Sequence, residues 1–432
     1  MSDRLPGSLR AYRLLSVAAR PLAPLLLDAR RRRGKEHDTR LMERRGRTGI
    51  LRPEGPLVWL HAASVGELAS VLPLIERVAA AEINVLVTTG TVTSSELAGQ
   101  RLPRDVIHQF VPVDVPRYVR RFLDHWQPDL ALFVESDLWP NRLIEASRRR
   151  VPIIMVNARL SEVSFRRWRL LPRAIANLLH RVDLCLARTN GDAERLSALG
   201  APRIVTAGDL KLDVPPPPCD GTKLAALHAA IGTRPVIAAA STHEGEEHAM
   251  IEAHLRLKTL FSSLLTVIVP RHPERGPSIA DLACRRGLAT CLRSHGKLPA
   301  PMTEIYVVDT VGELGLIYRL APIVFVGGSL VPHGGQNPIE PAKLGVAIVH
   351  GPNVWNFAEI YAALDRARGA ERVENADRLV AELAALMTEP ATRQKLADQA
   401  RATVAGLSGA LERTLKEIEP YLLQLRLVNR HA

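Results

Sequence analysis

The sequence predicts an α/β protein of two doubly wound, Rossmann-like domains facing a cleft. Its 432 residues exceed what one hydrophobic core ordinarily serves, so two domains of about 200 residues each are expected. Short apolar runs alternate with helix-length amphipathic stretches, the pattern of parallel sheets covered by helices on both faces. Four consecutive prolines interrupt that rhythm in VPPPPCDG, from Val214 to Gly221, and favour an extended, semi-rigid connector.

Taken in order, the chain reads as a basic, partly apolar N-terminal segment over 1–50, a first domain over 51–214, a linker over 215–221 and a second domain over 222–432. In the first domain the strand-like runs are VWLHA (58–62), INVLVTT (83–89), LALFVE (130–135), PIIMVNA (152–158) and LCLART (184–189). The second repeats them with VIAAAS (236–241), LLTVIVP (264–270), IYVVD (305–309), IVFVGG (323–328) and AIVHG (347–351). Folds of this kind bind ligands at the carboxyl ends of their strands, so strand-to-helix corners are the places to look for chemistry.

Composition narrows the function classes. The net charge of +12 suggests nucleic acid at first sight, but residues 1–50 hold 13 Arg and Lys against 5 Asp and Glu, so most of the excess is local. With aromatics at 4% and no interleaving of aromatic and basic residues, a nucleic-acid partner is not expected. The apolar stretch from Leu14 to Leu27 is broken by Arg20, Pro21 and Pro24, is too short to span a bilayer and lacks a cleavage pattern. Followed by Arg30, Arg31, Arg32, Arg33 and Lys35, it reads as an interfacial anchor for anionic lipids or as an ordinary helix packed on its own domain. Cysteines at 185, 219, 284 and 291 form no C-x-x-C pair, which fits a reducing compartment.

Three corners of the first half stand out. HAASVGE (61–67) enters a helix whose apolar positions Val65, Leu68, Leu72, Ile75 and Val78 follow helical spacing. Its Glu67 is either a general base at a strand end or, with Ser64, half of a capping box. TTGTVTSSE (88–96) offers a glycine and small hydroxyls, with Thr93 and Glu96 at capping spacing, and would bind an anion or form a plain turn. VESDLWPN (134–141) puts Glu135 and Asp137 after a strand beside Trp139; a cleft role is expected for Glu135, whereas Asp137 could be solvated. Before the linker, AGDLKLD (207–213) ends a strand with Lys211, a candidate phosphate contact or a surface lysine.

The second half is richer in anion-binding hints. ASTHEGEEH (240–248) follows a strand, and its His243 and His248 are five apart, which does not match the H-E-x-x-H zinc spacing. VPRHPERG (269–276) presents Arg271 and His272 after another strand. DTVGEL (309–314) and GGSLVPHGGQNPIEPA (327–342) combine glycines that permit close backbone approach with Asn337 and Glu340 at the start of a helix. No P-loop and no G-x-G-x-x-G occurs, so nucleotide hydrolysis and nicotinamide chemistry lack their signatures.

Together, and in this order, HAASVGE, TTGTVTSSE, ESDLWPN, NARLSE, STHEGEE, PRHPER, GGSLVPHGGQNPIEPA and GPNVWNF resemble the 3-deoxy-D-manno-octulosonic acid (Kdo) transferase family. The resemblance runs from the basic leader to near residue 360. It implies a GT-B type fold, an inverting reaction without metal or cofactor, CMP-Kdo as donor substrate and a lipid A precursor (lipid IVA) as acceptor, at the cytoplasmic face of the inner membrane in lipopolysaccharide biosynthesis. By motif it makes Glu67 the general base and Glu135 and Lys211 its catalytic support. It also makes Pro270, Arg271, Val311, Gly312, Glu313, Asn337, Pro338, Ile339 and Glu340 the contacts to CMP. The chain departs from the family pattern at Gln336, where His is common, at Val311, where Met is frequent, and at Asp137, which replaces a common Glu. The competing classes are a UDP-sugar transferase or epimerase of the same fold and a non-catalytic membrane-surface adaptor.

Overall fold

The computed structural model describes residues 4–430, with the side chains of 428–430 excepted. It forms two compact units, Met1–Val214 with Ser408–Ala432, and Pro215–Leu407. Each is a seven-stranded sheet whose hydrogen-bonded neighbours are parallel. The first contains β1 (Leu57–His61), β2 (Asn84–Thr89), β3 (Ile107–Phe110), β4 (Leu130–Val134), β5 (Ile153–Ala158), β6 (Leu184–Ala187) and β7 (Ile204–Thr206), in the order β3-β2-β1-β4-β5-β6-β7. The second contains β8 (Val236–Thr242), β9 (Leu265–Pro270), β10 (Thr290–Leu292), β11 (Ile305–Val307), β12 (Ile323–Val326), β13 (Ala347–His350) and β14 (Ala370–Arg372), ordered β10-β11-β9-β8-β12-β13-β14.

The ten apolar runs of the sequence are all strands. β1, β4 and β5 are buried along their whole length, as strands covered by helices on both faces must be. The four strands that the sequence does not mark, β3, β7, β10 and β14, are the two edges of each sheet. They are three or four residues long and half-covered, so they need no apolar run to be stable.

Crossover helices complete the layers. The helix Val65–Ala79 buries Leu68, Val71, Leu72, Ile75 and Val78 against the first sheet, while Val65, at its first turn, stays 40% exposed. Two expectations about boundaries change. Residues from 408 on do not belong to the second domain: the helix Ala410–Arg430 inserts Ala410, Ile418 and Leu422 into the core of the first unit beside Leu68 and Ile75. The start of that helix is fixed by Asp213, whose carboxylate accepts from the amides of Gly409 (2.7 Å) and Leu411 (2.6 Å). Nor is 1–50 a segment apart. In the helix Gly7–Ala18, Leu9 joins the first core, Tyr12 donates to Asp114 (2.9 Å) and Arg13 pairs with Glu145 (2.6 Å). Leu14, Leu15, Leu22, Leu25 and Leu26 remain exposed on this helix and the turn and helix that follow it. Among the described residues no helix is long and apolar enough to cross a membrane.

Candidate active site

In each sheet the chain leads off in opposite directions on either side of one gap, between β1 and β4 and between β8 and β12, and polar side chains gather there. In the first unit Glu67 lies in the first turn after β1. The capping arrangement exists: Ser64 Oγ accepts from the Glu67 amide (3.4 Å), and the Glu67 carboxylate accepts from Ser64 Oγ (2.9 Å) and the Ala63 amide (2.8 Å). A cap does not exhaust this side chain. Burial pushes its carboxyl up to about 7, opposed by the Ala63 amide and reinforced by the charges of Glu135 and Asp137.

Glu135 follows β4 at φ +58°, a left-handed conformation rare outside glycine that costs roughly 1 kcal/mol. Its carboxylate is 3.2 Å from Lys211 Nζ. Lys211 sits in the short 3-10 turn Leu210–Leu212 instead of ending a strand. That turn is pinned by Asn157, itself at φ +51°, whose Oδ1 accepts from the Leu210 amide (3.0 Å). Glu67, Glu135 and Lys211 are thus one group, linked by a direct ion pair and by the charge of Glu135 on Glu67.

Asp137 is not solvated. Its side chain is 9% exposed, 2.6 Å from Arg142 and 2.9 Å from His61 Nε2. Burial alone would raise its carboxyl, but Arg142 and then His61 draw it down to about 2. His61 is lowered by its own burial, so Arg142 carries the counter-charge. His61 opens the HAASVGE corner but the sequence gives it no role, and Arg142 is not marked at all, because a histidine inside a strand and an arginine inside a helix look ordinary until the fold pairs them. The TTG corner is a plain turn: Gly90 donates to Ala63 O (3.0 Å), and the capping box is Thr91 with Ser94, not Thr93 with Glu96. A side chain at Gly90 would meet Ala63 O at 2.8 Å, so this glycine is there for close approach.

The second unit reverses the polarity. Glu246 and Glu247 open the helix Glu246–Leu257 after β8, and both are buried and engaged. Glu246 accepts from the amides of His243 (2.9 Å), Gly328 (2.6 Å), Ser329 (2.9 Å) and Leu330 (3.0 Å), tying the corner after β8 to the glycine loop after β12. Burial raises its carboxyl while those amides oppose the shift. Glu247 accepts from Thr242 (2.9 Å) and from both Arg275 nitrogens (2.6 and 3.2 Å). Spacing alone does not disclose this duty, since the acids of HEGEEH resemble a solvated helix start.

With Glu246 and Glu247 turned inward, cationic and donor groups stand at the neighbouring strand ends, beside the exposed Glu244 and Glu274. Pro270 ends β9, and the exposed Arg271 follows it, its amide bonded to Thr242 O (3.0 Å). Val311 is 86% exposed next to Gly312 at φ +85°. Glu313 is held by Arg293 (2.9 and 3.0 Å) and Lys223 (3.3 Å), and the Arg293 contact, then that of Thr310, draws its carboxyl down to about 2. Asn337 Oδ1 accepts from the Ile339 amide (3.0 Å), and its Nδ2 donates to Glu340 (3.1 Å), whose carboxyl is raised by burial. Pro338 precedes the helix Ile339–Leu344, which packs against the helix Leu314–Leu320 that Glu313 begins. Among the described residues no three His, Cys, Asp or Glu side chains are grouped to hold a metal.

Residues 39–214 match the family described as 3-deoxy-D-manno-octulosonic-acid transferase (kdotransferase). The chain is 32% identical over 420 residues to the 3-deoxy-D-manno-octulosonic acid transferase of Haemophilus influenzae, covering 95% of this chain and 98% of that one. It is 36% identical over 425 residues to the Bordetella pertussis transferase, covering 94% and 98%. With the probable mitochondrial enzyme of Arabidopsis thaliana it shares 37% over 369 residues, 83% of each chain. Among solved structures, a putative UDP-N-acetylglucosamine 2-epimerase from Listeria monocytogenes (15% identity, TM-score 0.60, 86% of this chain and 97% of that) has the same fold. So does a glycosyltransferase from Rickettsia africae (11%, TM-score 0.59, 86% and 99%), which fixes the architecture as GT-B.

Proposed function

The chain belongs to the 3-deoxy-D-manno-octulosonic acid (Kdo) transferase family of glycosyltransferases, and on that footing we propose that it moves Kdo from CMP-Kdo to a lipid A precursor, lipid IVA, by an inverting displacement. The observation that carries the mechanism is Glu67, a half-buried carboxylate at the reversal point of the first sheet with its carboxyl raised to about 7. A base titrating near neutrality is half ionised there and strong enough to take the proton of a sugar hydroxyl. As the acceptor oxygen bonds to the anomeric carbon, the bond from that carbon to the CMP phosphate breaks on the opposite face, and Glu67 holds the proton released.

Charge develops on the departing phosphate, and Arg271 is the guanidinium suited to meet it, with the loops at 311–313 and 337–340 holding the nucleotide. Glu340, raised by burial, suits a ribose hydroxyl. Lys211 supports the reacting centre while Glu135 orients it through their ion pair. The reaction so written needs no dedicated metal.

The acceptor carries acyl chains, and the N-terminal region has the surface to meet a bilayer. Exposed Leu14, Leu15, Leu22, Leu25 and Leu26 sit beside a basic segment, which supports docking on anionic lipids at the cytoplasmic face of the inner membrane. The test is incubation with CMP-Kdo generated in place and a tetraacyl lipid A precursor, with mass spectrometry counting added sugars. Addition of one or more Kdo units is expected; turnover with a UDP-sugar in its place, or none with CMP-Kdo, would refute the reading.

A further inference from the structure

Three histidines of the second unit have no role in the reaction as written. His243 follows β8, His272 follows β9 and His333 lies in the loop after β12, so the fold brings them together at the reversal point of that sheet. The rings of His243 and His333 are stacked with centroids 4.2 Å apart and planes at 17°, and His272 stands edge-on to His243 at 6.1 Å. The loop that delivers His333 is fixed independently of any ligand: Gly335 donates to Gly328 O (2.7 Å) and Gln336 to Gly327 O (3.0 Å), while Glu246 grips its first amides. A side chain at Gly327 would meet Ser241 O at 2.5 Å, so the loop leaves β12 against the corner after β8.

The cluster is a set of donors short of an acceptor. Gln336 Nε2 donates to His243 Nε2 (3.0 Å), which leaves that ring its Nδ1 hydrogen to give. Burial, and then the neighbouring His333, His272, Arg271 and Arg275, lower the His243 imidazole to about 4, and the acid next to it in the chain, Glu244, is exposed. Beyond ring stacking, no side-chain partner of His333 or Arg271 is found among the described residues, and His272 lies 3.7 Å from Glu274 in an exposed turn. The two nearby buried acids are occupied, Glu246 by main-chain amides and Glu247 by Arg275. Such a surface is built for an anion.

Given the proposed donor, the chemistry calls for a second anion site. A CMP-linked ulosonic acid has one phosphate, unlike the two of a UDP-sugar, and its carboxylate is bonded to the same anomeric carbon that carries the phosphate. We propose that His243, His272 and His333 form a carboxylate-binding point beside Arg271 that takes the acid group of the transferred sugar, leaving the phosphate to Arg271. The assignment rests on the donor identity proposed above and deepens it: the cluster selects acidic sugars, and it holds the anomeric carbon between two fixed anion contacts.

The experiment compares donor with bare nucleotide. In His272→Ala/His333→Ala, both on exposed positions, KM for CMP-Kdo generated in place is expected to rise about tenfold or more, the scale of lost charge-assisted hydrogen bonds, while the calorimetric Kd for CMP moves less than about twofold. Replacing His333 by Gln, which keeps a donor, is expected to recover part of the loss. A KM that does not change, or a CMP affinity that weakens in step with KM, would overturn the assignment, since the cluster would then serve no ligand or the phosphate. No turnover by the unsubstituted chain would refute the donor reading itself, and the carboxylate site with it.

Discussion

The two sheets each hold seven parallel strands, with the fourth strand placed differently, β4 beside β1 in one and β11 between β10 and β9 in the other, yet both open a gap beside their first strand, and they present opposite chemistry there. After β1 and β4 the first unit offers Glu67 and Glu135 with one lysine; after β8, β9 and β12 the second offers Arg271 and three histidines. Each sheet also turns a non-glycine residue into the left-handed region at that place, Glu135 in one and Ser241 in the other. What differs is where the acids go. Glu67 keeps a carboxyl raised to about 7, whereas Glu246 is tied to four main-chain amides and Glu247 to an arginine. The fold supplies the position, and the hydrogen-bond partners of the acids decide whether it is basic or cationic.

That contrast predicts unequal outcomes for like substitutions. Glu67→Gln should lower turnover about a hundredfold or more while leaving the CMP affinity and fold intact, read by steady-state kinetics and calorimetry. Near-normal turnover would move the base elsewhere and leave Glu67 a cap. Glu246→Ala should do the reverse, costing about 2–3 kcal/mol in denaturant unfolding because buried amides lose their acceptor. An unfolding midpoint equal to that of the parent would erase the distinction between the two acids.

Smaller effects sharpen the comparison. Arg271→Ala should weaken CMP binding about tenfold, measured by calorimetry, and a loss of only surface charge with unaltered affinity would exclude it from the nucleotide site. If Glu67 is the base, kcat/KM should fall about tenfold per unit as pH drops below about 7, and Glu67→Gln should flatten that limb. Stability carries the same signature with its own sign. A carboxyl raised in the native state binds its proton more tightly there than in the unfolded chain. Its contribution is therefore present at acid pH and is lost as pH rises through about 7. For this half-buried group the loss should be less than about 1 kcal/mol, so Glu67→Gln should be slightly the more stable protein at pH 8 and equal at pH 4.

Much of this organisation is legible in the chain before folding. Central strands must be buried on both faces, so β1, β4, β8 and β12 announce themselves as apolar runs, whereas β3, β7, β10 and β14 do not, because an edge needs only a few ladder bonds. The corners after β1 and β4 are marked by type and place, as acids just beyond an apolar run, though the same signal after β8 belongs to Glu246 and Glu247, which hold loops together. The partners are not marked. Lys211 and Glu135 are 76 residues apart and His61 and Asp137 likewise meet only through the fold, so pairing depends on strand order that no local pattern encodes. Asp137 was legible as a strand-end acid but not as a buried one, because burial comes from Arg142 and His61 closing over it.

The return of the helix Ala410–Arg430 to the first unit makes that unit discontinuous in the chain, with the whole of Pro215–Leu407 inserted into it. During synthesis the inserted unit is therefore finished first, and the half that carries Glu67 must wait with Leu68 and Ile75 uncovered until the helix Ala410–Arg430 has been made. A stop just after Leu407 would release the Pro215–Leu407 unit complete but leave the first unit without Ala410, Ile418 and Leu422 in its core.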